Sequence, residues 1–172
     1  MNDYPVVVLV LTLLAAVTAV TGLATARAPR LWTVATAALV GLALAVAWFR
    51  DDTDGSRHPL ITVVAGVVAV AGGGLVTTQI FGIVDRASPV RQAGEVLRGG
   101  AWIGALERLG VYVALVAGWG PGLAIVLAVK GLGRYPELRS QEDTGAAERF
   151  IIGTFSSVLW AVACVGLAVL TS

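Results

Sequence analysis

Charge is what this 172-residue sequence has least of: 13% of its residues are Asp, Glu, Lys or Arg, against about 25% in an ordinary soluble domain. That shortage excludes a soluble fold. Cysteine and histidine occur once each, as Cys164 and His58. A single thiol forms no internal disulfide, and one histidine beside the flexible acids Asp51, Asp52 and Asp54 makes an ordinary solvated loop rather than a metal centre. The 12 basic and 11 acidic residues nearly cancel, and the basic ones are scattered through loops, which excludes a nucleic-acid-binding face. No phosphate-binding glycine loop, zinc-protease motif, serine elbow or CxxC occurs, so nothing points to a cofactor.

What the sequence does have is length without charge. It is 57% hydrophobic with a mean hydropathy of +0.84, and uncharged runs cover residues 5–26, 31–49, 59–84, 109–129 and 150–172. Each matches the roughly 20 residues a helix needs to cross a bilayer core. The expected class is all-α: a polytopic transmembrane helix bundle filling the chain as one integral membrane domain. The first run is read as an uncleaved span, because residues 1–4 hold no Lys or Arg and the run is too long for a signal peptide.

The run at 109–129 does not suit one straight helix. Its centre reads Gly118-Trp119-Gly120-Pro121-Gly122, and proline and glycine are the two poorest residues for a helix interior. Charge decides between a straight span and a hairpin. With five spans, alternate loops carry six Lys or Arg on each side; with a hairpin broken at 118–122 the division becomes ten against two, the asymmetry expected of positive-inside topology. The sequence therefore predicts about six membrane segments, at 5–26, 31–49, 59–84, 100–117, 121–134 and 147–171, in the plasma membrane with both termini extracytoplasmic. The returning limb has only nine uncharged residues, 121–129, so a full and a re-entrant hairpin both remain open. Trp32 and Trp48 bracket the second segment as interfacial anchors would. Ser88-Pro89 predicts a short surface helix over 89–98, and Asp143 or Thr144 a cap for the last segment.

Six ionisable residues border the hairpin: Glu107, Arg108, Lys130, Arg134, Glu148 and Arg149. With a hairpin tip at Trp119, Glu107 lies about 11 residues before the break and Lys130 about 9 after it, some 14 to 17 Å of helix, at nearly one depth. Small residues continue the same stripes: Gly100 and Gly104 before Arg108, and Gly153 and Ser157 after Arg149, with Gly73 on the third segment as a further packing position. Charge near the bilayer centre costs at least about 2.5 to 3.5 kcal/mol and faces a partner or an aqueous cavity. Two readings follow. One is a cytoplasm-facing polar pocket in which the basic residues hold a phosphate or lipid headgroup. The other is an ion-paired knot, Glu107 with Lys130 and Glu148 with Arg134. Thr77, Thr78 and Gln79 read as interhelical hydrogen-bonding residues, and Cys164 as a small packing residue.

Three blocks stand out in the C-terminal half: Ile103-Gly104-Ala105-Leu106-Glu107-Arg108, then Ala128 to Leu138 around Lys130 and Arg134, then Ala147 to Thr154 around Glu148 and Gly153. In pattern they are IGxLER, AxKxxxRxxEL and AExFxIGT. Over residues 99–160 the chain resembles an uncharacterised bacterial multi-pass inner-membrane family. That resemblance implies that the charged residues form one recurring unit, and it brings no activity with it. The expected function is a small permease or carrier for an anionic or lipid-phosphate group. The alternative is a non-catalytic subunit that docks a membrane-protein partner or a second copy of itself. An intramembrane enzyme is the least favoured class, since no activated nucleophile or metal set is present.

Overall fold

A computed structural model describes residues 4–25, 29–49, 58–87, 100–139 and 146–171. The described residues form six helices: α1 (Tyr4–Thr25), α2 (Pro29–Trp48), α3 (Pro59–Ala87), α4 (Gly100–Val116), α5 (Gly120–Arg139) and α6 (Ala146–Leu170). Proline marks several of the starts. Pro5, Pro29, Pro59 and Pro121 stand in the first two positions of α1, α2, α3 and α5, where the missing N–H has no intrahelical partner to lose. Four helices, α1, α2, α3 and α6, are long and apolar enough to cross a membrane.

The central helix is α3. It packs against α1, α2, α4 and α6, and its 29 residues make about 43 Å of helix. Small side chains let it be surrounded: Ala65 and Ala69 are fully buried, in a core with Val8 and Ala15 of α1, Val40 and Ala43 of α2, and Cys164 and Leu167 of α6. Close backbone approach and interhelical hydrogen bonds hold helices together where the surroundings are as apolar as the core. Thr18 of α1 meets Thr36 of α2 at 3.0 Å, and Thr77 of α3 meets Ser157 of α6 at 3.3 Å. The interhelical role expected near Thr77 is thus filled by Thr77 itself, while the Thr78 hydroxyl donates back to the carbonyl of Gly74.

The break at 118–122 is a tight turn. Gly118 has a φ of 65°, a left-handed conformation that glycine adopts without a Cβ clash. The Trp119 amide donates to the carbonyl of Ala114 at 2.8 Å, closing the end of α4. The chain then reverses. Lys130 lies beside Glu107, and Cγ2 of Val126 lies 3.0 Å from where a Cβ on Gly110 would stand, so the two pairs straddle Gly118 almost symmetrically and α5 returns antiparallel along α4. Trp119 at the tip is 56% exposed.

Three expectations need adjustment. The returning limb was expected to end at 134, yet α5 continues to Arg139 with Pro136 inside it, because backbone hydrogen bonding and not hydropathy decides where a helix stops. Trp48 is 71% exposed, as an interfacial anchor would be, but Trp32 turns inward against Leu75 and Ala19, seated over Gly22. Gly100, expected to be a packing glycine, meets nothing within 4 Å. The acidic loop at 51–54, the surface helix over 89–98 and the cap at Asp143 or Thr144 lie outside the described residues.

Candidate functional site

Polar side chains enter the bundle where α3 has no Cβ to block them. Within a helix, the side chain at position i+4 leans back over the carbonyl of residue i, so a glycine at i+4 uncovers that oxygen. Three donors use this arrangement on α3. Tyr112 Oη of α4 donates to the Thr62 carbonyl at 2.7 Å, across Gly66. Trp160 Nε1 of α6 donates to the Val68 carbonyl at 3.1 Å, across Gly72. Arg108 Nε of α4 donates to the Val70 carbonyl at 2.8 Å, across Gly74. In each case the accepting carbonyl belongs to a helical residue of α3, and its second lone pair accepts the incoming hydrogen bond.

The glycines are closely fitted. A Cβ at position 72 would stand 2.7 Å from the Trp160 ring and one at 66 would stand 3.1 Å from the Tyr112 ring. A Cβ at 73 would overlap Cδ of Arg108. The packing position expected at Gly73 is therefore the notch through which Arg108 crosses α3. Gly153 of α6 similarly receives Phe81 of α3, 2.7 Å from a Cβ placed there.

Arg108 is half-buried at the middle of α4. Its guanidinium lies over two glycines: Nη1 is 3.2 Å from a Cβ position at Gly104 and Nη2 is 3.5 Å from one at Gly74. Among the described residues only Nε is hydrogen-bonded. The two terminal amino groups carry four N–H donors and take no protein acceptor there. A planar fork of this kind suits the oxygens of a phosphate or carboxylate.

Glu107 has a different neighbour. Its Oε2 accepts a hydrogen bond from Lys130 Nζ in a partly buried ion pair, with the two side chains 21% and 16% exposed. This pair ties α4 to α5 and neutralises two charges that would be costly in an apolar medium. Glu107, Arg108, Lys130 and Ser157 border a common cavity of about 10 Å³, which is room for one water and no more. A phosphate does not fit there. The amino groups of Arg108 lie instead over Gly74 and Gly104, and an anion would have to meet them on that face.

The six ionisable residues singled out in the sequence thus divide. Glu107, Arg108 and Lys130 come together. Arg134 is exposed on α5, one turn beyond Lys130, and in the first turn of α6 Glu148 is exposed and Arg149 half-buried; neither arginine is without a partner. Two polar groups were missed. Trp160 carries an indole N–H to the middle of α3, and Tyr112 a hydroxyl to its first turn; a buried donor of that kind requires an acceptor, and the glycines of α3 were the signal of where it lies. Thr154 is also new: its hydroxyl is buried and has no partner among the described residues, one turn before Ser157. No group of three His, Cys, Asp or Glu side chains is gathered among the described residues.

Comparison with family profiles, with curated proteins and with solved structures gave no match.

Proposed function

We propose that the chain is a six-span plasma-membrane protein, with both termini outside, that binds an anionic group and most readily a lipid phosphate. The observation that carries this reading is Arg108: its Nε is held on the Val70 carbonyl, while its amino groups stand over Gly74 and Gly104 with no acceptor among the described residues. The Glu107–Lys130 pair supports it by cancelling the neighbouring charges, so Arg108 supplies the net positive charge at the middle of α4. The positive-inside asymmetry gives the orientation, with the hairpin tip outside and the loops before α4 and after α5 in the cytoplasm. A carrier or permease role follows from the depth. The fork stands about 12 Å along α4 from either end, where a phosphate would be partway across.

The test is native mass spectrometry of the purified protein with phosphatidic acid and phosphatidylcholine offered in equal amounts. Wild type is expected to retain phosphatidic acid preferentially and Arg108→Gln to lose the preference. Equal retention of both lipids by wild type would sink the reading. A docking subunit is the second reading, favoured by α5, whose Ile125, Val129 and Leu132 face outward and exposed while the helix rests mainly on α4. Its mark is a membrane-protein partner that co-purifies in mild detergent and is lost on Val129→Glu.

A further inference from the structure

Between α3 and α4 runs a second, larger cavity of about 680 Å³, the size of a small-molecule binding cleft. Its α3 wall includes Thr62, Gly66 and Val70, and its α4 wall Leu109, Tyr112 and Val113. Apart from Thr62 and the hydroxyl of Tyr112, which is committed to the Thr62 carbonyl, these walls are hydrocarbon. Gly66 has no side chain on this wall, and the Tyr112 ring packs against its backbone there. It spans Leu109 to Ala117 on α4, about 12 Å of helix, with its open side bordered by Val63 and Val113, which are more than half exposed.

One end of this groove meets the candidate anion site. Val70 belongs to both: its residue lines the groove and its carbonyl holds Arg108 Nε. Leu109, at the same end, is the next residue after Arg108. Arg108 itself does not line the groove; its amino groups lie just beyond the Val70 end, over Gly74 and Gly104, with no acceptor among the described residues. An apolar channel whose end adjoins such a cation is complementary to an amphiphile with a hydrocarbon tail and an anionic head. We infer that the α3–α4 groove holds an acyl chain of the lipid whose phosphate sits on Arg108, with the chain running from Val70 toward the hairpin tip. This rests on the lipid-phosphate reading of Arg108 and extends it from a headgroup contact to a site for the whole lipid.

The full-length protein in phosphatidylcholine nanodiscs can be labelled with phosphatidic acid bearing a diazirine in the distal half of one chain, and the adducts mapped by peptide mass spectrometry. Label is expected to concentrate on residues 62–67 and 113–117, at least about fivefold above that from the same chain on phosphatidylcholine. Val113→Trp, at an exposed groove position, should remove the label, and Val63→Trp serves the same purpose should the first variant fail to fold. Arg108→Gln should reduce phosphatidic acid to the phosphatidylcholine level. Label spread evenly over lipid-facing residues such as Val6 and Val10 of α1 overturns the groove, even if retention of phosphatidic acid still depends on Arg108. Groove labelling that is equal for both lipids and indifferent to Arg108→Gln overturns the phosphate reading and leaves a groove that takes chains without regard to head.

Discussion

The indole of Trp160 lies across the bare backbone of Gly72, with its ring 2.7 Å from where a Cβ would stand and its Nε1 donating to the Val68 carbonyl one turn earlier. That one contact joins α3 to α6 through a hydrogen bond and a missing methyl together. Because Tyr112 and Arg108 repeat it along the same helix, α3 acts as a spine of uncovered carbonyls.

Gly72→Ala should therefore push Trp160 off its seat and cost about 1 to 3 kcal/mol, the range for overpacking a fitted interior. Gly82→Ala, on the same helix but with nothing within 4 Å, should be neutral or should stabilise by up to about 1 kcal/mol through helix propensity. Unfolding by SDS titration in mixed micelles compares the two. Similar effects at both sites would argue against a seat at Gly72.

The Glu107–Lys130 pair predicts non-additivity. Removing one partner leaves the other charge half-buried without its counterion, so Glu107→Gln and Lys130→Met should each destabilise, whereas the double variant should recover much of the loss. A double-mutant cycle should give a coupling of about 0.5 to 3 kcal/mol, the range found for residues in contact. Strict additivity would show that the pair does not hold α4 to α5.

Arg108→Lys keeps the charge and discards the fork. An ammonium cannot donate to the Val70 carbonyl and at the same time present a planar pair of amino groups to an anion. Phosphatidic acid retention should fall about tenfold, close to the Arg108→Gln value, and full retention by the lysine variant would mean that charge alone suffices.

Orientation can be checked with single cysteines. Cys164 is fully buried, so Cys164→Ala gives a quiet background in which Trp119→Cys and Ser140→Cys can be labelled from either side of the membrane. Position 140 should react from the cytoplasm and position 119 from outside. Reaction of 140 from outside would reverse the topology, and a position 119 shielded from both sides would make the hairpin re-entrant.

Four of the helices, α1, α2, α3 and α6, were legible because they are as long and apolar as a bilayer crossing requires. The turn was legible in Gly118 to Gly122, and the Glu107–Lys130 pairing in the near-equal distance of the two residues from it. Arg108 was legible as a charge but not as a hydrogen-bonded fork. Its partner is a backbone carbonyl, which every residue possesses and no letter of the sequence distinguishes; only the glycine four residues on marks which one is uncovered. The length of α5 was hidden for the opposite reason: Lys130 and Arg134 end an apolar run without ending a helix. Trp32 misled because an aromatic near a helix end suits an interface and a glycine notch equally well, and Gly22 lies on another helix.

The antiparallel register of α4 and α5 bears on how the protein is made. Leaving Glu107 or Lys130 unpaired in hydrocarbon costs several times the thermal energy, and each finds its counterion only when the other limb lies alongside. In the six-span arrangement the hairpin therefore enters the bilayer as one unit rather than as two successive helices. The ribosome must release the 22 residues between Glu107 and Lys130 before either limb can settle. Lengthening the turn by one residue would rotate one limb by about 100° relative to the other, and the cost of the misplaced charges would fall on membrane insertion before it affected the finished fold.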